Sequence, residues 1–439
     1  MKVGDKIILD IEKVVWEGKG LGHYNGQVVM VDYVLPGERV KVKIDELKRD
    51  YVIGSLLDII RVSKERILPR CRHFYQCGGC SFQHTSYDYQ MKLKQEASIE
   101  AISRILGRDV KCDKIVRSPN PWYYRNKAQF PIERVDSRVF GGFYQKGTHK
   151  IIDLQECPLH PPIFINILQW TKTRIMKEDI GLRYLYLRGT QSGDVMVTFV
   201  TWKRIKDAKK IASELRKAFP EVVSVYENIN NRKESNVILG DKFYLIDGIE
   251  RLEQKILDYK FLVSPGSFFQ INILQVESII TFIMSMLSHH SAGVFIDGYA
   301  GVGTFTIPLA RVSRYGYSIE ENPSAVEDAI ENIKLNSVSN IKVRKGKTEL
   351  ETRKILEERD INYIFIDPPR KGIEKDFSLF LSKLYLDNII YVSCNPTTLA
   401  RDIKILESGN FSLEELAGFD LFPQTAHMEY VAVLTRRNV

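Results

Sequence analysis

Cys394 follows Asn388-Ile389-Ile390-Tyr391-Val392-Ser393, an apolar, β-branched run, and precedes Asn395-Pro396. Asn395 predicts an N-cap and Pro396 a first helical position, opening a helix over 397–406. A thiol between a strand tip and a helix start meets unpaired N–H groups and the positive end of the helix dipole, which favour its thiolate. The chemistry implied is nucleophilic attack. A buried structural cysteine fits the same residues, and on these alone both readings stand.

A second set of thiols is Cys71, Cys77 and Cys80, with Gly78 and Gly79 between the last two and Cys157 much further along. The glycines let the backbone fold around a ligand. Four thiolates are the usual complement of an iron–sulfur cubane or of structural zinc. Zinc sites usually show two paired Cys-x-x-Cys knuckles. One knuckle, one outlier and one distant cysteine put a [4Fe-4S] cluster ahead of zinc. A radical enzyme would leave one iron open on three cysteines, and the spacing and the fourth cysteine argue against it. Cys112 has no cysteine neighbour and reads as buried filler.

Further positions suit a nucleotide-type ligand. Residues 294–297 read as a buried strand that ends in Asp297 and runs into Gly298-Tyr299-Ala300-Gly301-Val302-Gly303-Thr304, the opening βα unit of a parallel sheet. The turn lacks Gly-x-Gly-x-x-Gly, so pyrophosphate is not indicated, and Asp297 suits a ligand with an amine. A second strand ends in Glu320, where an acid receives ribose hydroxyls. Together these favour S-adenosylmethionine over NAD. The strand 363–366 ends in Asp367-Pro368-Pro369-Arg370, a rigid turn at the ligand edge of the sheet. Amino-methylating enzymes carry an aromatic ring after the two prolines. Arg370 stands there instead, which turns the reading away from amine methylation. His427 and Glu429, two apart on extended backbone, face one side. Beside a thiol nucleophile, Glu429 becomes a candidate base.

These residues need a large scaffold. The chain has 439 residues, 44% of them hydrophobic and 27% charged, with a net charge of +8. That length predicts two or three domains, and the mild positive charge permits a polyanionic partner. No apolar run is long enough to cross a membrane and the N-terminus is no signal peptide, so the expected location is cytoplasmic. A monomer is the expected state. Residues 1–60 read as short strands with glycine turns, a small closed barrel such as an oligonucleotide-binding fold. Lys13, Lys19, Lys41, Lys43, Lys48 and Arg49 lie there among Trp16, His23, Tyr24 and Tyr51, a mix that suits a groove tracking a phosphate backbone. A solvated barrel surface explains it too. Gly18-Lys19-Gly20-Leu21-Gly22 and Leu35-Pro36-Gly37-Glu38 make this stretch similar to a TRAM domain, a small RNA-binding barrel. Residues 61–263 read as an α+β middle domain carrying the cysteines, with a helix over 86–106. Its basic stretches 125–127 and 146–150 suit phosphates or a solvated face equally. Residues 264–439 read as the catalytic α/β domain.

The motifs Cys71-x5-Cys77-Gly78-Gly79-Cys80, Phe268-Phe269-Gln270-x-Asn272, Asp367-Pro368-Pro369-Arg370-x-Gly372, Ser393-Cys394-Asn395-Pro396-x-Thr398-Leu399-Ala400-Arg401-Asp402 and Phe422-Pro423-x-Thr425-x-His427-x-Glu429 closely resemble the RNA uracil-5-methyltransferase family, along essentially the whole chain. The resemblance implies a Rossmann-like class I methyltransferase domain after the barrel and middle domain. It implies Cys394 as nucleophile and Glu429 as base. It also implies Gln270, Tyr299, Glu320 and Asp367 as S-adenosylmethionine contacts, and a [4Fe-4S] cluster on Cys71, Cys77, Cys80 and Cys157. Ala300 stands where the family often has cysteine. The implied product is 5-methyluridine in structured RNA, with the large (23S) ribosomal RNA as expected substrate and transfer RNA as the alternative. A non-enzymatic RNA-binding or RNA-folding protein is the other reading. The helix 86–106 is implied to dock on the catalytic domain.

Overall fold

The computed structural model describes residues 1–232, 237–287 and 293–437. Among them the strands form sheets of six, seven, two and eight members. The six-stranded sheet takes Lys6–Asp10, Lys13–Val14, Gly20–Tyr24, Gln27–Val31, Arg39–Leu47 and Val52–Arg61. Strand alternation builds its core: Val40, Val42 and Ile44 are fully buried, while Lys41 and Lys43 between them face water. Not all of the expected basic groove is free. Lys13 pairs with Glu100 (2.5 Å), Lys19 with Asp32 (3.0 Å) and Lys48 with Glu46.

The seven-stranded sheet runs in the order Ile151–Asp153, Arg138–Tyr144, Lys127–Val135, Leu182–Gly189, Val195–Thr201, Val222–Ile229, Lys242–Gly248. Helices Pro162–Lys177 and Ala208–Ala218 cover one face, where Phe130, Leu185 and Leu187 share a core with Phe164, Leu168 and Leu215.

The eight-stranded sheet positions the site. Its order is Ile341–Lys345, Tyr315–Glu320, Val294–Gly298, Tyr363–Ile366, Asn388–Ser393, Glu429–Arg436, Phe411–Phe419, Lys114–Val116. The first five are mutually parallel, so their C-terminal ends lie on one edge. Glu429–Arg436 runs antiparallel beside Asn388–Ser393, with Tyr430 opposite Ser393. The first residue of the antiparallel strand therefore arrives next to the last of its parallel neighbour, which brings Glu429 to Cys394.

The expected middle unit, 61–263, does not pack as one body. Helix Tyr87–Leu106 buries Met91 and Ile102 in the catalytic core with Leu399 and Ile403, and Lys114–Val116 joins the catalytic sheet beside Phe411–Phe419. The hairpin Leu252–Ile256 and Tyr259–Val263 likewise puts Ile256, Phe261 and Val263 into a second catalytic-domain core with Phe295 and Phe365. The apolar face of each element needs a partner, and the catalytic sheet supplies it. Among the described residues no helix is long and apolar enough to cross a membrane.

Candidate active site

Gln270, Tyr299, Glu320, Asp367, Cys394 and Glu429 line one cleft of about 720 Å³ at the shared strand edge. The turn after Val294–Gly298 is left-handed at Tyr299 (φ +62°), Gly301 (φ +57°) and Gly303 (φ +86°). The Gly301 N–H donates to the Glu320 carboxylate (2.9 Å), and the space above its Cα is open, so a ligand reaches bare backbone. Tyr299 donates its N–H to Thr348 Oγ1 (3.0 Å) and its hydroxyl to Glu349 (2.6 Å). Gln270 Nε2 donates to Asp367 (3.0 Å). Two carboxylates, an amide, a tyrosine and an open glycine turn fit an adenosyl ligand carrying a cationic sulfur. Asp297, expected to meet that ligand's amine, does not line the cleft. It is buried and accepts from the Thr306 hydroxyl beneath the turn, and burial pushes its carboxyl up to about 8.

Asn395 caps helix Pro396–Glu407 by accepting from the Thr397 N–H (3.1 Å), as the sequence requires. The thiol beside it is nevertheless not held as thiolate. Burial pushes Cys394 up to about 12, Glu429 and Asp367 add to the rise, and the Arg370 guanidinium hydrogen-bonded to it opposes them. Desolvation thus outweighs the helix start. Burial also raises Glu429 well above the usual carboxylate range, with Asp367 adding and Arg370 opposing. Asp367 is pushed up to about 7 by burial, against the Gln270 hydrogen bond. Burial thus disfavours the charged form of all three acids, and the Arg370 guanidinium opposes it at Cys394 and Glu429.

The loops carrying these groups are bolted together. The Arg370 carbonyl accepts from Asn395 Nδ2 (3.2 Å) and Thr398 Oγ1 (3.2 Å), tying the Asp367 turn to the helix behind Cys394. Gly372 is left-handed (φ +74°), and a Cβ there would stand 2.5 Å from Asp402 Oδ2. Buried Asp402 accepts from the Tyr391 hydroxyl (2.7 Å) and the Ile373 N–H (3.1 Å). The segment leading to Glu429 is held from helix Tyr87–Leu106. Fully buried Lys94 pairs with Asp420 (2.6 Å), and Gln90 donates to the Gln424 side chain (2.9 Å). His427 does not line the cleft. It precedes the strand and packs edge-on against Trp16 of the barrel at 5.5 Å.

The cysteine quartet borders this cleft. Gln83 donates to Cys80 Sγ (3.2 Å), the Gly79 N–H points to Cys77 Sγ (3.4 Å), and His160, a cleft residue, contacts Cys157 Sγ (3.2 Å). Burial raises all four thiols, and other members of the set add to the rise at Cys71, Cys80 and Cys157. Among the described residues no three His, Cys, Asp or Glu stand close enough to hold one metal ion. The N–H donors aimed at Cys77 and Cys80 are of the kind that suits sulfur ligands. Cys112 is half-buried beside the catalytic core.

The description tRNA (Uracil-5-)-methyltransferase matches residues 86–437, and TRAM domain matches 1–57. The chain belongs to this methyltransferase family. Its relatives include an uncharacterized RNA methyltransferase of Oceanobacillus iheyensis, 35% identical over 97% of this chain and 96% of the relative. Another, from Halalkalibacterium halodurans, is 33% identical over 99% and 98%. The crystal structure of Pyrococcus abyssi tRNA (uracil-54, C5)-methyltransferase in complex with S-adenosyl-L-homocysteine is similar with a TM-score of 0.77 and 27% identity, over 98% of this chain and 100% of that one.

In this RNA methyltransferase the sequence reading missed the chemical place of Arg370, taken only as a missing aromatic ring. It named the basic stretch 125–127 but not its place: Arg125 and Lys127 line the cleft together with His160 and Phe268. Arg125 is half-buried and donates to the Tyr124 hydroxyl (3.3 Å). Burial, with Arg188 and Arg125 nearby, pulls the Lys127 ammonium down to about 8. The available signal was the basic pair itself.

Proposed function

We propose that the chain methylates carbon 5 of a uridine in structured RNA through a covalent bond from Cys394. The observation that carries this is one cleft lined by Cys394, Glu429, Gln270, Tyr299, Glu320 and Asp367. S-adenosylmethionine, when bound, supplies an electrophilic methyl group. Gln270, Tyr299, Glu320 and Asp367 are the residues proposed to hold it, with Asp367 facing its positive charge.

Uracil carbon 5 is too electron-poor to take a methyl group unaided. Cys394 loses its proton and bonds to carbon 6, the ring electrons move to the carbon 4 oxygen, and carbon 5 becomes nucleophilic. Arg370, against the sulfur, offsets the negative charge as it forms. Once carbon 5 carries both methyl and hydrogen, Glu429 takes that proton, the carbon–sulfur bond breaks and the double bond returns. The proton given up by Cys394 leaves to solvent and the one taken by Glu429 returns to the freed sulfur, so one proton is released per turnover. The target base is splayed from its stack to reach the thiol, with the basic wall receiving its phosphates.

Cys71, Cys77, Cys80 and Cys157 would hold a [4Fe-4S] cluster, whose contribution at that position is to brace the loops around His160 and Arg125. An anaerobic preparation that is brown, with four irons and four sulfides, supports this, whereas a colourless zinc-containing one overturns it. We keep large ribosomal RNA as the proposed substrate and a cytoplasmic location as the one where that RNA is found. The name of the Pyrococcus abyssi enzyme favours transfer RNA, and its match across this chain means the barrel does not separate the two. Mapping 5-methyluridine in ribosomal and transfer RNA from cells lacking the protein decides. No change in either overturns the assignment.

A further inference from the structure

The cleft continues past the catalytic sheet. Arg125 and Phe143, which line it, also line a second hollow of about 520 Å³ beside Gly78, Gly79 and Lys146. Tyr144 and His149 are shared in turn between that hollow and a third, of about 260 Å³, framed by Arg183, Tyr184 and Trp202. This path runs over the face of the seven-stranded sheet that its helices leave open. Tyr184 and Tyr186, opposite Pro131 and Gln129, alternate with Leu185 and Leu187, which point into the helix-side core. Close to the cleft the face is covered, Tyr186 being buried, but further out its rings reach water.

Those outer rings are interleaved with cations. The Arg183 guanidinium lies 3.8 Å from the Trp202 ring centre and 5.9 Å from that of Tyr184. The Tyr144 and Tyr184 hydroxyls share a hydrogen bond (3.1 Å), and His149 meets Tyr144 edge-on at 5.8 Å. Trp202 is 42% exposed, a large ring left in water. Lys146, half-exposed, bridges to Asp32 of the barrel (2.8 Å), and Glu133 is the acid framing the third hollow. Packing alone explains rings touching rings. It does not explain a chain of openings from these rings to the nucleophile.

We propose that Tyr144, Tyr184 and Trp202, with Arg183 and His149, form a stacking platform for a single-stranded segment of substrate RNA adjoining the target uridine. The proposal rests on the RNA-methyltransferase reading. With the uridine at Cys394, the neighbouring phosphates meet Arg125 and Lys146, and the following bases lie on the rings. Base–ring stacking tolerates any sequence, so the platform sets reach and orientation and leaves the choice of uridine to the cleft.

The test uses the full-length protein and fluorescein-labelled oligouridylates of four and twelve nucleotides. The longer probe binds the native protein more tightly. Trp202→Ala and Tyr184→Ala each weaken it roughly tenfold, leave the shorter probe unaffected, and raise KM for total RNA with kcat unchanged. Trp202→Phe, which keeps a ring, recovers most of the loss. Should the alanine variants fail to fold, a 4-thiouridine twelve-mer photo-crosslinked to the native protein supplies the readout. Crosslinks at residues 183–184 or 202 support the platform, and crosslinks confined elsewhere overturn it. Equal binding of the longer probe by all variants also overturns it. Failure of the native protein to transfer labelled methyl groups to total RNA would instead overturn the activity on which the platform depends.

Discussion

The two walls of the Cys394 cleft hold ionisable groups of opposite type. On the sheet-edge wall, Asp367 and Glu429 are acids whose carboxyls burial lifts above their ordinary range. On the facing wall, Arg125 and Lys127 are cations from the seven-stranded sheet and the segment leading into it, and burial draws the Lys127 ammonium down. Both walls hold ionisable groups in positions that disfavour their charged forms. A ligand of opposite sign relieves each: a cationic sulfur for the acids, a phosphate for the bases. The proposed reaction brings one of each into the same space.

Removing the thiol is the most severe way to break this contrast. Cys394→Ala should abolish methyl transfer while S-adenosylhomocysteine affinity, measured by calorimetry, stays unchanged, because the change touches only the acid wall's nucleophile. Glu429→Gln should slow turnover by about 10²–10⁴-fold and accumulate a protein–RNA adduct that survives denaturing electrophoresis. Gly372→Ala strains both the backbone and Asp402 behind the acid wall, and should lower stability to urea by about 1–3 kcal/mol. On the basic wall, Lys127→Ala should leave the cofactor site intact and reduce the slope of log RNA affinity against log salt by about 1. The smallest effect concerns pH. Asp297 has its folded pKa raised to about 8, so the stability it contributes is full below the ordinary carboxylate range and is lost as pH rises through about 8. Asp297→Asn should flatten that decline in a thermal-unfolding series without changing RNA binding.

The acid wall was legible in the sequence because its residues sit in short local patterns. Cys394 is announced by a strand before it and a capping Asn-Pro after it, and Asp367 by two prolines, so each motif specifies its own geometry. The basic wall and the docking of Tyr87–Leu106 were less legible, since they depend on contacts hundreds of residues apart, such as Lys94 with Asp420. Asp297 shows the opposite failing. Its position in the pattern was read correctly, but its burial, set by the Thr306 helix above it, redirected it from ligand to support. Thiol acidity was misjudged for the same reason, because sequence shows the helix start near Cys394 and not the desolvation around it.

The contact between Trp16 and His427 has a practical consequence. Val14 and Leu35 of the barrel share a small core with Phe82 of the cysteine loop, Leu93 and Ala426, and Gly18 packs so tightly on Ala426 that a Cβ would stand 2.9 Å away. The N-terminal sixty residues are therefore a keystone set two residues from where the strand of Glu429, the proposed base, begins. Grafting another RNA-binding head onto this enzyme, or trimming its own, must carry the Trp16-Glu17-Gly18 turn along or leave the segment before Glu429 adrift.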